Sequence, residues 1–403
     1  ETFLKVNRAT NFQEFEDAVS SHHSPGLNFS AVDSQGTVGM IAGGALVKRA
    51  PGVDGHQLQD GASGRGDWIG YRPFSDNPRI VNPAEGYAYS ANHGWRFSKD
   101  VDADQAWLQG YFSPDDRWMR LAERLQADGA WDRERHTDVQ LDVTKPLDRK
   151  LLAAFLEIPG AQEVLSAELS DGAGLWEELE RWDGSYEIDL VAPTVAEAWT
   201  RELARAIFED ELGPERFAVL VDMHSFEDTL RRVVADPTSP WWRQEGSNQT
   251  RDELVRVSMT RALETLKQTL GERSQEWRWG RVHSLTHRHP FGKRSKFLNS
   301  LLSVGPFEVP GGRETLNNFA MKLLDREGKV TYGPSTRRVL YVGQGAVSST
   351  SNPVGQSLHF VDHHRDDQAE GFVRGDYSVV QTLGIRWDSL SEDDVLTFEP
   401  ARP

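Results

Sequence analysis

Two helix-start signatures fix the middle of this chain before anything else in it can be placed. Thr194-Val-Ala-Glu197 and Thr250-Arg-Asp-Glu253 each set a Thr three residues ahead of a Glu. At that spacing the hydroxyl accepts the third helical amide, and the carboxylate reaches back to the amide of the cap residue. Apolar residues then recur at helical intervals: Trp199, Leu203, Ala206 and Ile207 after the first, and Val255, Met259, Ala262, Leu266 and Leu270 after the second. Gly213-Pro214 and Gly271 supply the stops. Such stripes are core faces and carry no chemistry of their own. They predict a helical region over 145–275.

The flanks have another character. Residues 1–144 are rich in Gly, Asn, Asp and Pro, with short apolar runs between. A short helix is expected at Phe12–Ser20, followed by a hairpin of Leu27–Val32 and Thr37–Ala42. Asp33-Ser34-Gln35-Gly36 joins its strands, and Gly36 can take the positive φ that such a loop needs. Long loops follow, the kind that are functional or wrap another element. Residues 276–403 return to strands and loops, with strands expected at Thr336–Val342 and Tyr377–Leu383. A helical zone between two sheet-forming zones, without an internal repeat, predicts one α+β body instead of beads on a string.

Composition closes off several function classes. The formal charge of −17 over 403 residues leaves little cationic surface to neutralise phosphates, which argues against nucleic-acid binding. There is no run of about 18 apolar residues that would span a membrane. The absence of cysteine excludes disulfides, thiolate metal sites and a cysteine nucleophile on this chain. The opening ETFLKVNRAT has neither a basic start nor an apolar stretch, so Glu1 is read as an internal cut in a longer precursor, an arbitrary boundary being the plainer alternative.

Four places concentrate groups that can do chemistry. His283 and His287 stand four apart, with His289 after them, which suits a zinc site on a helix. The carboxylate of an HExxH motif is missing and Gly280 and Pro290 oppose a helix, so structural histidines are expected. Asp362-His363-His364-Arg365-Asp366-Asp367 contains the acid and base of a hydrolytic triad, but no G-x-S-x-G elbow supplies its serine, and an exposed, salt-bridged loop is expected. Asp100, Asp102 and Asp104 alternate like the start of a calcium loop without its Gly and Glu. One of them can still ligate a hard cation beside oxygens from elsewhere; a solvated acidic turn is the simpler reading. Asn92 follows a turn and a short strand. Its neutral, directional amide suits an oxyanion donor, although a turn Asn fits the local pattern as well.

Taken in order, these segments resemble the penicillin acylase family of N-terminal-nucleophile hydrolases. The matching stretches are Asn28-Phe-Ser-Ala-Val-Asp33 with Gly36-Thr-Val-Gly39, Asp67-Trp-Ile-Gly70, Asn82-Pro83 through Ser90-Ala-Asn92, and Trp182-Asp-Gly184. Later come Trp279-Gly280, His283, His289-Pro-Phe-Gly292, Gly311-Gly312 with Thr315 and Asn317, Gly333-Pro-Ser335 and Gly355-Gln-Ser357. The resemblance implies a four-layer αββα sandwich with an inserted helical region, formed from a precursor that cuts itself. A new N-terminal Ser then attacks the amide, its own α-amine acting as base through water. It implies that Asn92 donates to the oxyanion and that Arg117 organises the network around it, with Arg120 as a rival for that role. Asp104 matches a ligand of the family's structural calcium. Export to the periplasm or beyond is implied as well.

One departure outweighs the matches. The family's nucleophile, its upstream oxyanion donors and most of its acyl pocket precede the part that this chain matches. Companion chains from the same precursor are therefore expected to supply them to a heterodimer-like assembly that acts on a small amide: a penicillin, an acyl-homoserine lactone or a related compound. The competing expectation is a binding homologue that keeps the scaffold without catalysis. Retention of Asn92 and Arg117 favours the enzyme.

Overall fold

The computed structural model describes residues 1–381 apart from 56, 96–113, 128, 130, 245–247 and 343–346. Helix α1 (Thr2–Val6) and helix α2 (Phe12–Ser20) precede an antiparallel hairpin of β1 (Leu27–Val32) and β2 (Val38–Gly43), in register from Leu27↔Gly43 to Val32↔Val38. The connecting turn is held by one carboxylate. Asp33 accepts the amides of Gln35 and Thr37 at 2.9 Å and that of Phe12 at 3.2 Å. It thereby closes the loop and ties the hairpin to the start of α2, while Gly36 takes φ 85°. Strands β3 (Val47–Arg49) and β4 (Trp68–Tyr71) pair with each other, and β5 (Arg79–Val81) adds to β2. Phe12, Phe15, Val19 and Ile41 fill a small core between α2 and the hairpin.

The helices begin before residue 145. Helix α3 (Asp116–Gln126) and α4 (Arg133–Gln140) already lie within the stretch expected to be β-rich. The bundle continues with α5 (Pro146–Leu156), α6 (Ala161–Glu168), α7 (Gly172–Arg181), α8 (Ala192–Val221), α9 (Phe226–Ala235) and α10 (Arg251–Leu270). The capping box at Thr250 forms, with Thr250 N donating to Glu253 Oε2 at 2.7 Å and Glu253 N to Thr250 Oγ1 at 3.3 Å. The one expected at Thr194 does not. Helix α8 starts three residues earlier, with Val191 at the cap position, where Glu178 of α7 accepts the amides of Val191 and Ala192 at 2.9 and 3.3 Å. A carboxylate from another helix satisfies the first amides, so Thr194 ends up buried inside the first turn. Gly213 (φ 71°, ψ 162°) does interrupt α8, and Pro214 restarts it at once. Helices α8 and α10 form the centre of the main core, with Trp199 Nε1 donating to Ser258 Oγ at 2.9 Å in a fully buried contact.

Beyond the bundle come α11 (Trp279–Val282), β6 (Ser284–His287), α12 (Lys296–Leu302), β7 (Val304–Glu308), β8 (Ala320–Met321), β9 (Val330–Tyr332), β10 (Arg337–Val339), β11 (Val347–Ser351), α13 (Ala369–Arg374) and β12 (Ser378–Gln381). Strand β10 is shorter than the expected Thr336–Val342, and the expected strand at Tyr377 begins at Ser378 and runs to the edge of the described residues. All described strand pairs are antiparallel. The chain is thus a mixed helix-and-sheet body. No described helix is long and apolar enough to cross a membrane.

Candidate active site

A cleft of about 1070 Å³ opens between β1, the Ser90–Trp95 segment, the start of α3, the α8–α9 junction and the Arg313-Glu314 loop. Asn92 lies in it with φ 62°, a left-handed conformation that is uncommon for any residue but glycine. Its turn is held by local contacts. Ser90 Oγ accepts from Asn28 Nδ2 of β1 at 2.7 Å and from Asn92 N at 3.3 Å. The buried His93 ring packs between Tyr89 and Trp118 and accepts the Ala91 amide at 3.3 Å.

Arg117 meets Asn92 from the first turn of α3. Its Nη2 donates to Asn92 Oδ1 at 3.1 Å, and its Nε pairs with Glu314 Oε2 at 2.8 Å. A guanidinium has only donors, so the amide atom it faces must be the oxygen. The Asn92 NH2 is left with its donors available to something else in the cleft. Glu314 also has positive φ, 63°. Two of the three described non-glycine residues with positive φ are therefore the two partners of Arg117. Backbone strain of this kind clusters at functional sites.

Glu314 was not singled out from the sequence, but its neighbours were, and they explain its placement. Trp279 Nε1 donates to Gly311 O at 2.9 Å, and Thr315 Oγ1 donates to Asn317 O at 2.8 Å. Asn317 Oδ1 accepts Arg337 Nη2 at 2.8 Å. The fully buried His283 stands 2.8 Å from both Val309 O and Phe319 O, at the two ends of the same loop. Burial pushes the His283 imidazole below its ordinary range, against the pull of those two carbonyls. This histidine is a structural brace. His287 lies on β6 and His289 caps the turn after it, so the three rings do not converge on a metal.

Beneath the cleft is a buried ionic cluster. Arg231 clamps Asp116 with both terminal nitrogens at 2.8 Å and also reaches Glu227 at 3.1 Å and Asp148 at 3.2 Å. Lys145 Nζ lies 2.8 Å from Glu227 and 3.1 Å from Asp148, and Arg313 Nε lies 2.9 Å from Glu227. Asp116, Asp148 and Glu227 have the mutual spacing of metal ligands, but these three cations already neutralise them. Lys145 is seated by the Trp182-Asp-Gly184 turn. Gly184 O accepts the Lys145 amide at 2.8 Å, and a Cβ on Gly184 would come 2.5 Å from Lys145 O. Burial pushes Asp116 up to about 6, although Lys145 and Arg231 pull it back. Burial acts the same way on Glu227, but Lys145, Arg313 and Arg231 outweigh it and hold that carboxyl at about 2.

The remaining candidates fall elsewhere. Arg120 forms a two-toothed pair with Asp142, Nε donating to Oδ1 at 3.0 Å and Nη2 to Oδ2 at 2.6 Å, and it does not bond Asn92. Asp100, Asp102 and Asp104 lie outside the described residues. His363 and His364 are exposed, and His364 Nδ1 pairs with Asp367 at 2.8 Å in the salt-bridged loop expected from the sequence.

The family model for penicillin amidase matches residues 1–383. An acyl-homoserine lactone acylase QuiP of Pseudomonas fluorescens is 25% identical over 423 residues, covering 100% of this chain and 49% of that protein. A penicillin acylase 2 proenzyme of a Pseudomonas species is 26% identical over 379 residues, covering 92% and 46%. The chain thus spans about half the length of these relatives. Among solved structures, a thermostable penicillin G acylase from Alcaligenes faecalis superposes with a TM-score of 0.62 at 17% identity, over 100% of this chain and 72% of that one. Similarity at that identity shows the fold. The sequence match over nearly the whole length shows the lineage: the chain belongs to the penicillin amidase family.

Proposed function

We propose that this chain forms most of the catalytic subunit of an amide hydrolase that works through an acyl-enzyme. The observation that carries this reading is the Arg117–Asn92 contact. It turns the carboxamide oxygen away and leaves the NH2 of Asn92 to meet a developing oxyanion. Glu314 balances the Arg117 charge, so the relay does not present a bare cation to the substrate. The attacking group is an N-terminal Ser on a companion segment of the same precursor, within a four-layer sandwich completed by that segment. Its α-amine, with a reference pKa near 8, is suited to act as base near neutrality. Exposed Trp68, Ile69 and Tyr71 on β4 support a companion that covers them. The substrate class is an acyl amide such as an acyl-homoserine lactone or a penicillin, as the names of the relatives suggest. The leucines of the cleft wall, Leu27 and Leu46, and Trp95 suit an apolar acyl chain. A structural calcium held through Asp104 and export to the periplasm belong to the same reading.

The test is hydrolysis of phenylacetyl amides, fatty-acyl amides and acyl-homoserine lactones by the full gene product, with N-terminal sequencing of every chain in it. Asn92→Ala is expected to lower kcat by roughly 10²–10³. Turnover that survives the substitution, or companions beginning with residues that cannot attack a carbonyl, would remove the catalytic reading.

A further inference from the structure

We propose that Arg231 of α9 is a positioning residue for this reaction: by clamping Asp116 it fixes the start of α3, and so fixes where Arg117 holds the Asn92 amide. The inference rests on the roles given above to Asn92 and Arg117.

Asp116 and Arg117 are consecutive and belong to different surroundings. Successive helical residues point about 100° apart, so Asp116 is buried in the ionic cluster while Arg117 lines the cleft. Among the described residues the first turn of α3 has no side-chain cap, since Asp115 at its N-cap makes no capping bond. Apart from the bonds of Arg117 itself, the side-chain contact that ties this turn to the rest of the fold is the pair of 2.8 Å bonds from Arg231 to Asp116. The other arm of the relay is anchored in the same way. Arg313 is bound at 2.9 Å to Glu227, which Arg231 also contacts, and the next residue is Glu314. Asp116 and Arg313 are thus each one residue from a member of the Arg117–Glu314 pair, and Arg231 and Glu227 join them from α9. A guanidinium spans both oxygens of Asp116, and an ammonium cannot. A shift of about 1 Å at Arg117 would carry the Asn92 NH2 off its target, an error that can cost about 10²-fold in rate.

The experiment uses the full gene product carrying Arg231→Lys or Asp116→Asn, each alone and combined with Arg117→Ala, together with a crystal structure of the Arg231→Lys protein. Positioning predicts that each single variant loses about tenfold or more in kcat while KM stays within about twofold. It predicts no further loss once Arg117 is already alanine. It also predicts that Arg117 Nη2 has left Asn92 Oδ1 in the crystal structure. A lowered Tm with kcat per folded enzyme unchanged would overturn the proposal, as would losses that multiply in the Arg117→Ala background or an Arg117–Asn92 contact that stays at 3.1 Å. If the unsubstituted protein hydrolyses no amide, the activity reading fails on its own. The crystal structure then decides the positioning claim, an opened contact supporting it and a retained one overturning it.

Discussion

At the scale of single residues, the cleft is organised by what Arg117 touches. Its Nε–Glu314 bond is 2.8 Å long, with side-chain exposures of 17% and 11%, so the pair is shielded enough for its charge to matter. Glu314→Gln keeps the shape and an acceptor but removes the counter-charge of a half-buried guanidinium. It is expected to lower kcat about tenfold, with little change in KM. Steady-state kinetics on the substrate found for the parent protein checks this, and an unchanged kcat would reduce Glu314 to a bystander. Arg120, three residues along the same helix, shows how narrow the distinction is. Both arginines face a carboxylate, and only the direction of α3 decides which one reaches Asn92.

At the scale of elements, the two Thr-x-x-Glu signatures test how far a local rule carries. The box at Thr250 opens α10 at an exposed end, where the Thr250 and Glu253 side chains themselves serve the free amides. Thr250→Ala should therefore cost about 1 kcal/mol of stability, measured as a lower urea midpoint with unchanged slope. A shift near zero would mean that tertiary packing alone sets where α10 begins. At Thr194 that is what happens. Glu178 caps α8 from α7, and the Thr194 hydroxyl is buried without a hydrogen-bond partner among the described residues.

At the scale of the molecule, the ionic cluster couples stability to pH in two opposite ways. Asp116 titrates at about 6 in the fold against 3.8 ordinarily. It holds its proton more tightly folded than unfolded, so its share of stability is full below about pH 4 and is lost as pH rises to about 6. Glu227 titrates at about 2 against 4.5, so its share is full above about pH 4.5 and is lost as pH falls to about 2. Urea midpoints across this range should fall less steeply between pH 4 and 6 in Asp116→Asn, and less steeply below pH 4.5 in Glu227→Gln. Slopes identical to the parent's would show that the cluster does not titrate with folding.

What the sequence determined by itself is what repeats or closes over a few residues. Helix α2, the hairpin with Asp33 and Gly36, the box at Thr250, the break at Gly213 and the family all follow from spacings of two to four residues or from short motifs in order. Asn92 was a candidate on its local pattern, where a turn Asn fitted as well, and Arg117 was a candidate only through those motifs. Tertiary structure alone decided that Glu314 meets Arg117 across 197 residues of chain, that Asp116 pairs with Arg231 across 115, and that Glu178 starts α8 in place of Thr194. A periodic pattern records which face of an element is apolar. It holds no record of which charged groups two distant elements bring together, because that depends on how the buried faces pack and on which carboxylate is then close enough to offset the cost of burying a cation.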